Sequence, residues 1–185
     1  MTDFPDHTRE TAPASAQPTL DAAQKTYGMI PNLFRKMAEA PAALDGYWHL
    51  ARAFDGSSFS PIEQQVVLIA ASVRNECTYC VAVHSSLADM ARAPEAVVEA
   101  LRTGKPVPDA RLEALRRFTE AVVDQRGWVP PETVQAFLDA GFNRGQVLEV
   151  ILGVGLKTLS NYTNHLAQTE LDDAFKARAW TPFRQ

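Results

Sequence analysis

The two cysteines of the chain, Cys77 and Cys80, stand three positions apart, and His84 follows four positions after the second. On a helix, residues three and four apart share a face, so these three side chains fall in one row. Helical neighbours on adjacent turns lie about 5–6 Å apart, and a disulfide tolerates a Cα separation of roughly 4.4–6.8 Å, so the spacing permits a bridge. His84 is one turn from Cys80 but two turns, about 10.5 Å of axis, from Cys77. Cys80 is therefore the thiol that His84 can activate. Two thiols at this spacing point to redox chemistry through a thiolate. Zinc is the other chemistry open to such residues, but it needs four ligands, and beyond these three only a distant residue such as His165 could complete the set.

The rest of the chain narrows the setting. At 185 residues and 46% hydrophobic content, it can bury the core of one globular domain without disulfide stapling. The net charge is −4 and the pI about 5.6. No basic run exceeds Arg116-Arg117, so no nucleic-acid partner is expected. The N-terminus lacks the apolar core of a secretory signal. The apolar runs around Val66 to Val73 and Val150 to Leu156 fall short of the roughly 18 residues of a membrane span. A cytoplasmic protein with no membrane partner is expected, and in that compartment a cysteine pair serves redox or metal chemistry rather than stapling.

The elements that must carry the cysteines read as an all-α multihelical domain. Apolar residues recur at three- and four-residue spacing from Thr19 onward, and no segment alternates with period two. Residues 1–18, with Pro5, Pro13 and Pro18, read as an extended or disordered arm outside the core. The helical domain is expected over 19–177 and a C-terminal tail over 178–185. Gly28 ends a first helix, Pro31 opens a second, and Pro41 a third that stops before Gly56. Ser60-Pro61-Ile62-Glu63 is a capping box that starts a helix to about Arg74, after which the cysteine helix begins near Cys77. Further helices are expected from Pro94 to Thr103, Asp109 to Arg126 and Pro131 to Ala140. Asn143-Arg144-Gly145-Gln146 forms a second capping box, leading a long apolar helix that passes Asn161 and reaches His165.

The stretch from Ser60 to His84, with Asn75-Glu76-Cys77-Thr78-Tyr79-Cys80 at its centre, resembles the AhpD-like alkylhydroperoxidases of the carboxymuconolactone decarboxylase superfamily. A second match is Leu156-Lys157-Thr158-Leu159-Ser160-Asn161-Tyr162-Thr163-Asn164-His165-Leu166, similar to the C-terminal segment of one AhpD-like branch. The resemblance implies a helical fold assembled into homo-oligomers such as trimers or hexamers, with a CxxC site that reduces peroxides. Carried over by position, Cys80 is the peroxidatic cysteine that becomes a sulfenic acid, Cys77 resolves it as a disulfide, and His84 is the proton-relay histidine. The partners implied are a peroxide substrate and an external dithiol or thiol-protein reductant; no cofactor is implied, since sulfur does the chemistry.

The sequence departs from the family pattern in places. The relay glutamate, twelve residues before the first cysteine, is Gln65 here, whose amide can orient His84 but cannot take up a proton. Restoring a carboxylate there is expected to speed peroxide reduction. Tyr79 replaces the histidine between the cysteines and either flanks the pocket or packs. Glu76 stands where many relatives have glycine. Asn161 and His165, polar residues on an apolar helix, either line a pocket or hold helices together. A general disulfide oxidoreductase, a redox sensor and the superfamily's decarboxylase branch are the alternative activities; the decarboxylases generally work without the cysteine pair.

Overall fold

The computed structural model describes residues 4–183, in which nine α-helices and one 3-10 helix run in chain order and no strand occurs. They are α1 (Gln17–Tyr27), α2 (Asn32–Met37), α3 (Pro41–Asp55), α4 (Pro61–Arg74), α5 (Thr78–Met90), α6 (Glu95–Thr103), α7 (Ala110–Asp124), α8 (Pro131–Asp139) and α9 (Arg144–Ala167). The 3-10 helix spans Asp173–Arg178.

The helix starts follow from local chemistry. The Ser60 hydroxyl accepts from Glu63 N–H at 3.3 Å while the Glu63 carboxylate accepts from Ser60 N–H at 2.9 Å, and Asn143 and Gln146 repeat the exchange at the head of α9. Each box satisfies donors that a helix N-terminus otherwise leaves unpaired. Asp109 caps α7 by accepting from Leu112 N–H at 2.9 Å.

Helix α4 is the centre of the molecule. Every residue from Val66 to Val73 is buried, and it packs against α5, α6, α7 and α9. A helix apolar all round belongs in a core, where it gives its neighbours a rigid base. Gly153 lets α9 approach: a Cβ there would lie 2.7 Å from Phe54 and 2.7 Å from Val67. The far side of α7 is closed by stacked rings, Phe118 on Phe137 at 4.4 Å and Phe137 on Phe142 at 4.3 Å.

Both termini join the fold more closely than the sequence suggests. Of the expected arm, residues 1–3 lie outside the described residues, but Ala12 and Ala16 are buried in the core. Lys36 donates to the Phe4 carbonyl at 2.6 Å and Arg35 to the His7 carbonyl at 3.2 Å, which ties the segment to α2. Of the expected tail, residues 184–185 lie outside the described residues. Before them, Arg178 pairs with Asp89, Glu95 and Glu99, and the Trp180 indole donates to the Arg102 carbonyl at 2.7 Å. These bonds link residues far apart in sequence, so no local pattern announces them. No helix among the described residues is long and apolar enough to cross a membrane.

Candidate active site

The turn from α4 into α5 places Cys77. Asn75 ends α4, Glu76 turns back with φ 54, and the N–H groups of Glu76 and Cys77 bond the carbonyls of Val73 and Ser72 at 2.9 Å each. This is a Schellman closure, whose reversing residue sits in the left-handed region that favours glycine. Cys77 thus leaves α4 and caps α5 in one step, in extended conformation. It lies just outside the helix, while Cys80 sits within the first turn, where unpaired N–H groups and the helix dipole favour a thiolate. Both cysteines are free and buried.

Around Cys80 the site is assembled from α5 and α9. Cys77 neighbours Cys80 closely enough for its thiol to favour charge on the Cys80 sulfur. The Asn164 amide donates to Cys80 Sγ at 3.3 Å and reaches Cys77 Sγ at 3.8 Å. Ser160 Oγ lies 3.7 Å from Cys80 Sγ, and Lys157 Nζ 3.9 Å. Burial alone would raise the pKa of Cys80. The neighbouring Cys77 thiol, the Lys157 charge and the polar side chains of Ser160 and Asn161 outweigh it and hold the thiol well below its ordinary range. Cys77 is shifted the opposite way, because its proton is engaged with Cys80 and because it too is buried. The two shifts run in opposite directions, which favours the thiolate on Cys80 and the thiol on Cys77.

His84 is one turn below Cys80, as the row of spacings requires, but it does not touch the sulfur directly. Lys157 stands between them, its Nζ donating to His84 Nε2 at 2.7 Å. The opposite ring nitrogen, Nδ1, donates to Gln65 Oε1 at 3.0 Å. Burial, and then the Lys157 charge, press the His84 pKa well below the ordinary value, so the imidazole is neutral. Gln65 fixes the tautomer that leaves Nε2 free to accept.

The remaining sequence candidates divide. Asn161 is fully buried beneath the cysteine turn, accepting from Asn75 Nδ2 at 2.9 Å and donating to Ser72 Oγ at 3.4 Å. Tyr79 faces away from the sulfurs: its hydroxyl donates to Asp172 Oδ2 at 2.6 Å and accepts from Leu33 N–H at 3.4 Å, joining α5 to α2 and the C-terminal segment. His165 is on the exposed side of α9, against Tyr162, and does not join the site. Among the described residues, no three His, Cys, Asp or Glu side chains converge as metal ligands would.

The carboxymuconolactone decarboxylase family model matches residues 38–124, from the end of α2 through α7, with both cysteines, Gln65 and His84 inside the match. Over that stretch, a little under half of its length, the chain is similar to the carboxymuconolactone decarboxylase family. Solved structures share its AhpD-like fold. One is an alkylhydroperoxidase AhpD core, an uncharacterized peroxidase-related protein from Ralstonia eutropha JMP134, with TM-score 0.84 and 19% identity over 97% of each chain. Another is a peroxidase-related protein from Silicibacter sp. TM1040, with TM-score 0.80 and 18% identity over 96% of this chain and 94% of that one. The debrominase Bmp8, as a cysteine-to-alanine variant in complex with 2,3,4-tribromopyrrole, has TM-score 0.80 and 15% identity over 96% of each chain. No curated protein matches the sequence.

The superfamily match stops before α9, so Lys157, Ser160 and Asn164 reach the cysteines from outside it. Sequence reasoning assigned none of them a role. The available signal was Lys157 itself, the lone charge between Val150 and Leu166 on an apolar helix. A buried lysine is rare enough to mark a site. One more atom stands out. Asn164 Oδ1 is buried and finds no hydrogen-bond partner among the described residues, which leaves an acceptor beside the sulfurs for a donor arriving from outside.

Proposed function

We propose that the protein reduces hydroperoxides at Cys80, with Cys77 as the resolving thiol and an external dithiol as reductant. The observation that carries this reading is the setting of the pair: the Asn164 amide donates to Cys80 Sγ at 3.3 Å and reaches Cys77 Sγ at 3.8 Å, and Lys157 Nζ lies 3.9 Å from Cys80 Sγ. A thiolate is the nucleophile that peroxide chemistry requires.

The Cys80 thiolate attacks the terminal peroxide oxygen; the S–O bond forms as the O–O bond breaks, and the departing alkoxide takes a proton to leave as an alcohol. Asn164 Oδ1 offers an acceptor to the hydroperoxide O–H, while its amide nitrogen steadies the sulfur. Cys77 then condenses with the Cys80 sulfenic acid, giving the disulfide and water. An external dithiol restores both cysteines by exchange. The general disulfide oxidoreductase shares this last step, and the redox sensor shares all but the repeated turnover.

The test is mass spectrometry of the reduced chain after one equivalent of an alkyl hydroperoxide, together with steady-state turnover on a dithiol. The expected product is a Cys77–Cys80 peptide lighter by two hydrogens, formed in every cycle. In Cys77→Ser, a sulfenic-acid reagent should label Cys80; in Cys80→Ser, Cys77 should trap little. Oxidation without turnover would favour the sensor. Labelling of Cys77 in place of Cys80 would reverse the assignment of roles. A brominated pyrrole in the same assay tests whether the thiolate takes a halogen in place of an oxygen.

A further inference from the structure

We propose that Lys157 is the counter-ion of the Cys80 thiolate and the acid that protonates the departing alkoxide, so that its proton leaves and returns once per catalytic cycle. The inference rests on the peroxidase reading above for its acid step, and on the charge balance of the site for its counter-ion step.

That balance is unusual. Lys157 is 1% exposed, and among the described residues no carboxylate pairs with it. Its polar contacts are Cys80 Sγ at 3.9 Å and His84 Nε2 at 2.7 Å. A buried ammonium without an anion is strongly unfavourable. The groups that face it are few. From α5 come Cys80, His84 and, at its cap, Cys77; from α4 comes Gln65, acting through His84. Tyr47 of α3 lies close enough to feel both cysteines, and burial holds its phenol protonated. Ser160, Asn161 and Asn164 on α9 itself carry no charge. His84 is neutral and Cys77 keeps its proton, so Cys80 is the group that can supply the negative charge.

Oxidation removes that anion, and the balance then dictates where the proton goes. The thiolate and ammonium react with the hydroperoxide to give Cys80 sulfenic acid, the alcohol and a neutral Lys157 amine. The sulfenic acid condenses with the Cys77 thiol, whose proton leaves on the hydroxide as water, giving the disulfide. An external dithiol then supplies two electrons and two protons; one proton returns to Cys77 and the other to Lys157. The sum is hydroperoxide plus dithiol to alcohol, water and disulfide. His84 is a positioning residue here. Its Nε2 holds the lysine, and the Nδ1 bond to Gln65 holds the ring. A glutamine suffices at that position because it has to accept one hydrogen bond and no proton.

The experiment separates charge from acidity. Alkylation of Cys80 by iodoacetamide needs a thiolate but no proton donor, whereas oxidation by a hydroperoxide needs both. Lys157→Met keeps the apolar stem and removes the ammonium. Its Cys80 alkylation profile should move from below neutral pH to above it, and the single-turnover rate with hydroperoxide should fall at least ~10²-fold, the lower range for a lost general acid. Lys157→Arg keeps a charge that does not deprotonate, its pKa lying above about 12. It should alkylate near the wild-type rate at neutral pH yet oxidise slowly. Circular dichroism and melting of both variants check that the fold is retained. Wild-type alkylation and oxidation in Lys157→Met would overturn the proposal while leaving the peroxidase reading intact. A Lys157→Arg enzyme that oxidises as fast as wild type would overturn the acid role. No hydroperoxide turnover in the wild type would overturn the peroxidase reading and the acid role together, with the counter-ion decided by the Lys157→Met alkylation profile.

Discussion

At the scale of single residues, the site turns on which side chain carries which proton. The spacing Cys77, Cys80, His84 was legible because helical geometry converts sequence intervals of three and four into neighbours. Gln65 was legible through the family resemblance, and its bond to His84 at 3.0 Å gives it the orienting role. Lys157 was not, because it reaches the site from α9, far along the chain from the cysteines, and nothing local fixes where a lone lysine will point. Its presence changes what Gln65→Glu should do. A carboxylate at position 65 would stabilise the imidazolium, against the burial and the Lys157 charge that now hold His84 neutral. A protonated His84 cannot accept from Lys157, and two cations would then compete for one thiolate. We expect Gln65→Glu to raise the His84 pKa, followed by NMR of the imidazole, and to slow peroxide reduction. In a Lys157→Met background the same change should instead speed the reaction, because it rebuilds a histidine–carboxylate relay. A rate increase from Gln65→Glu alone, as expected from the sequence, would show that Lys157 does not depend on a neutral His84.

At the scale of elements, the helix starts were legible and the turns between them less so. Two capping boxes and the prolines at first helical positions place α3, α4, α8 and α9 to within a residue of where they begin. The Schellman turn between α4 and α5 was hidden, since its reversing residue is a glutamate and not a glycine. Glu76 is exposed, so the turn is held by its backbone bonds and by the burial of Cys77, not by the carboxylate. The left-handed conformation costs a residue with a Cβ roughly 1–2 kcal/mol, offset in part by the larger entropy that glycine loses on folding, about 0.5–1 kcal/mol. Glu76→Gly should therefore stabilise the reduced protein by ~0.5–1 kcal/mol, a rise in melting temperature of about 1–4 °C for a chain of this size. Calorimetry of the variant measures it. A loss of stability would mean that the Glu76 carboxylate contributes a contact worth more than the strain. The 3-10 helix was illegible for a different reason: it is organised around the Tyr79–Asp172 bond, and no pattern within Asp173–Arg178 foretells a partner so distant in sequence.

At the scale of the whole molecule, the polarised site couples to stability, and the direction follows from the proton count. His84 has a folded pKa below its unfolded value, so below about pH 6.5 the unfolded chain takes up a proton that the folded chain refuses. Cys80 is depressed in the same sense, so it adds stability that is full above the unfolded thiol pKa and declines as pH falls toward its folded value. Melting of the reduced protein should therefore drop between pH 8 and pH 5, with a slope of up to about 1.4 kcal/mol per pH unit for each proton. Cys80→Ser should flatten the part above pH 6.5. Helix α9 links this interior to the surface. Its 24 residues, about 36 Å of helix, present Lys157, Ser160, Asn161 and Asn164 inward. The opposite side carries Leu148, Ile151, Tyr162 and Leu166, which are 67%, 48%, 54% and 75% exposed. A surface helix of a monomer normally has the reverse pattern, apolar inward and polar outward. These four residues recur along five turns on one stripe, with exposed Gly155 between them offering a close approach. An apolar stripe of this length on a rigid helix calls for a partner, and a second copy meets it most economically, since like stripes are self-complementary about a two-fold axis or around a ring. Light scattering should report a multiple of 20.3 kDa at micromolar concentration. Leu148→Glu combined with Leu166→Glu, both solvent-exposed in the single chain, should shift the assembly toward monomer without unfolding it. A wild-type mass of one chain would leave the stripe without this partner. A dissociated double variant with slower peroxide reduction would show that pairing at the outer face of α9 helps hold Lys157 and Asn164 in place on the inner one.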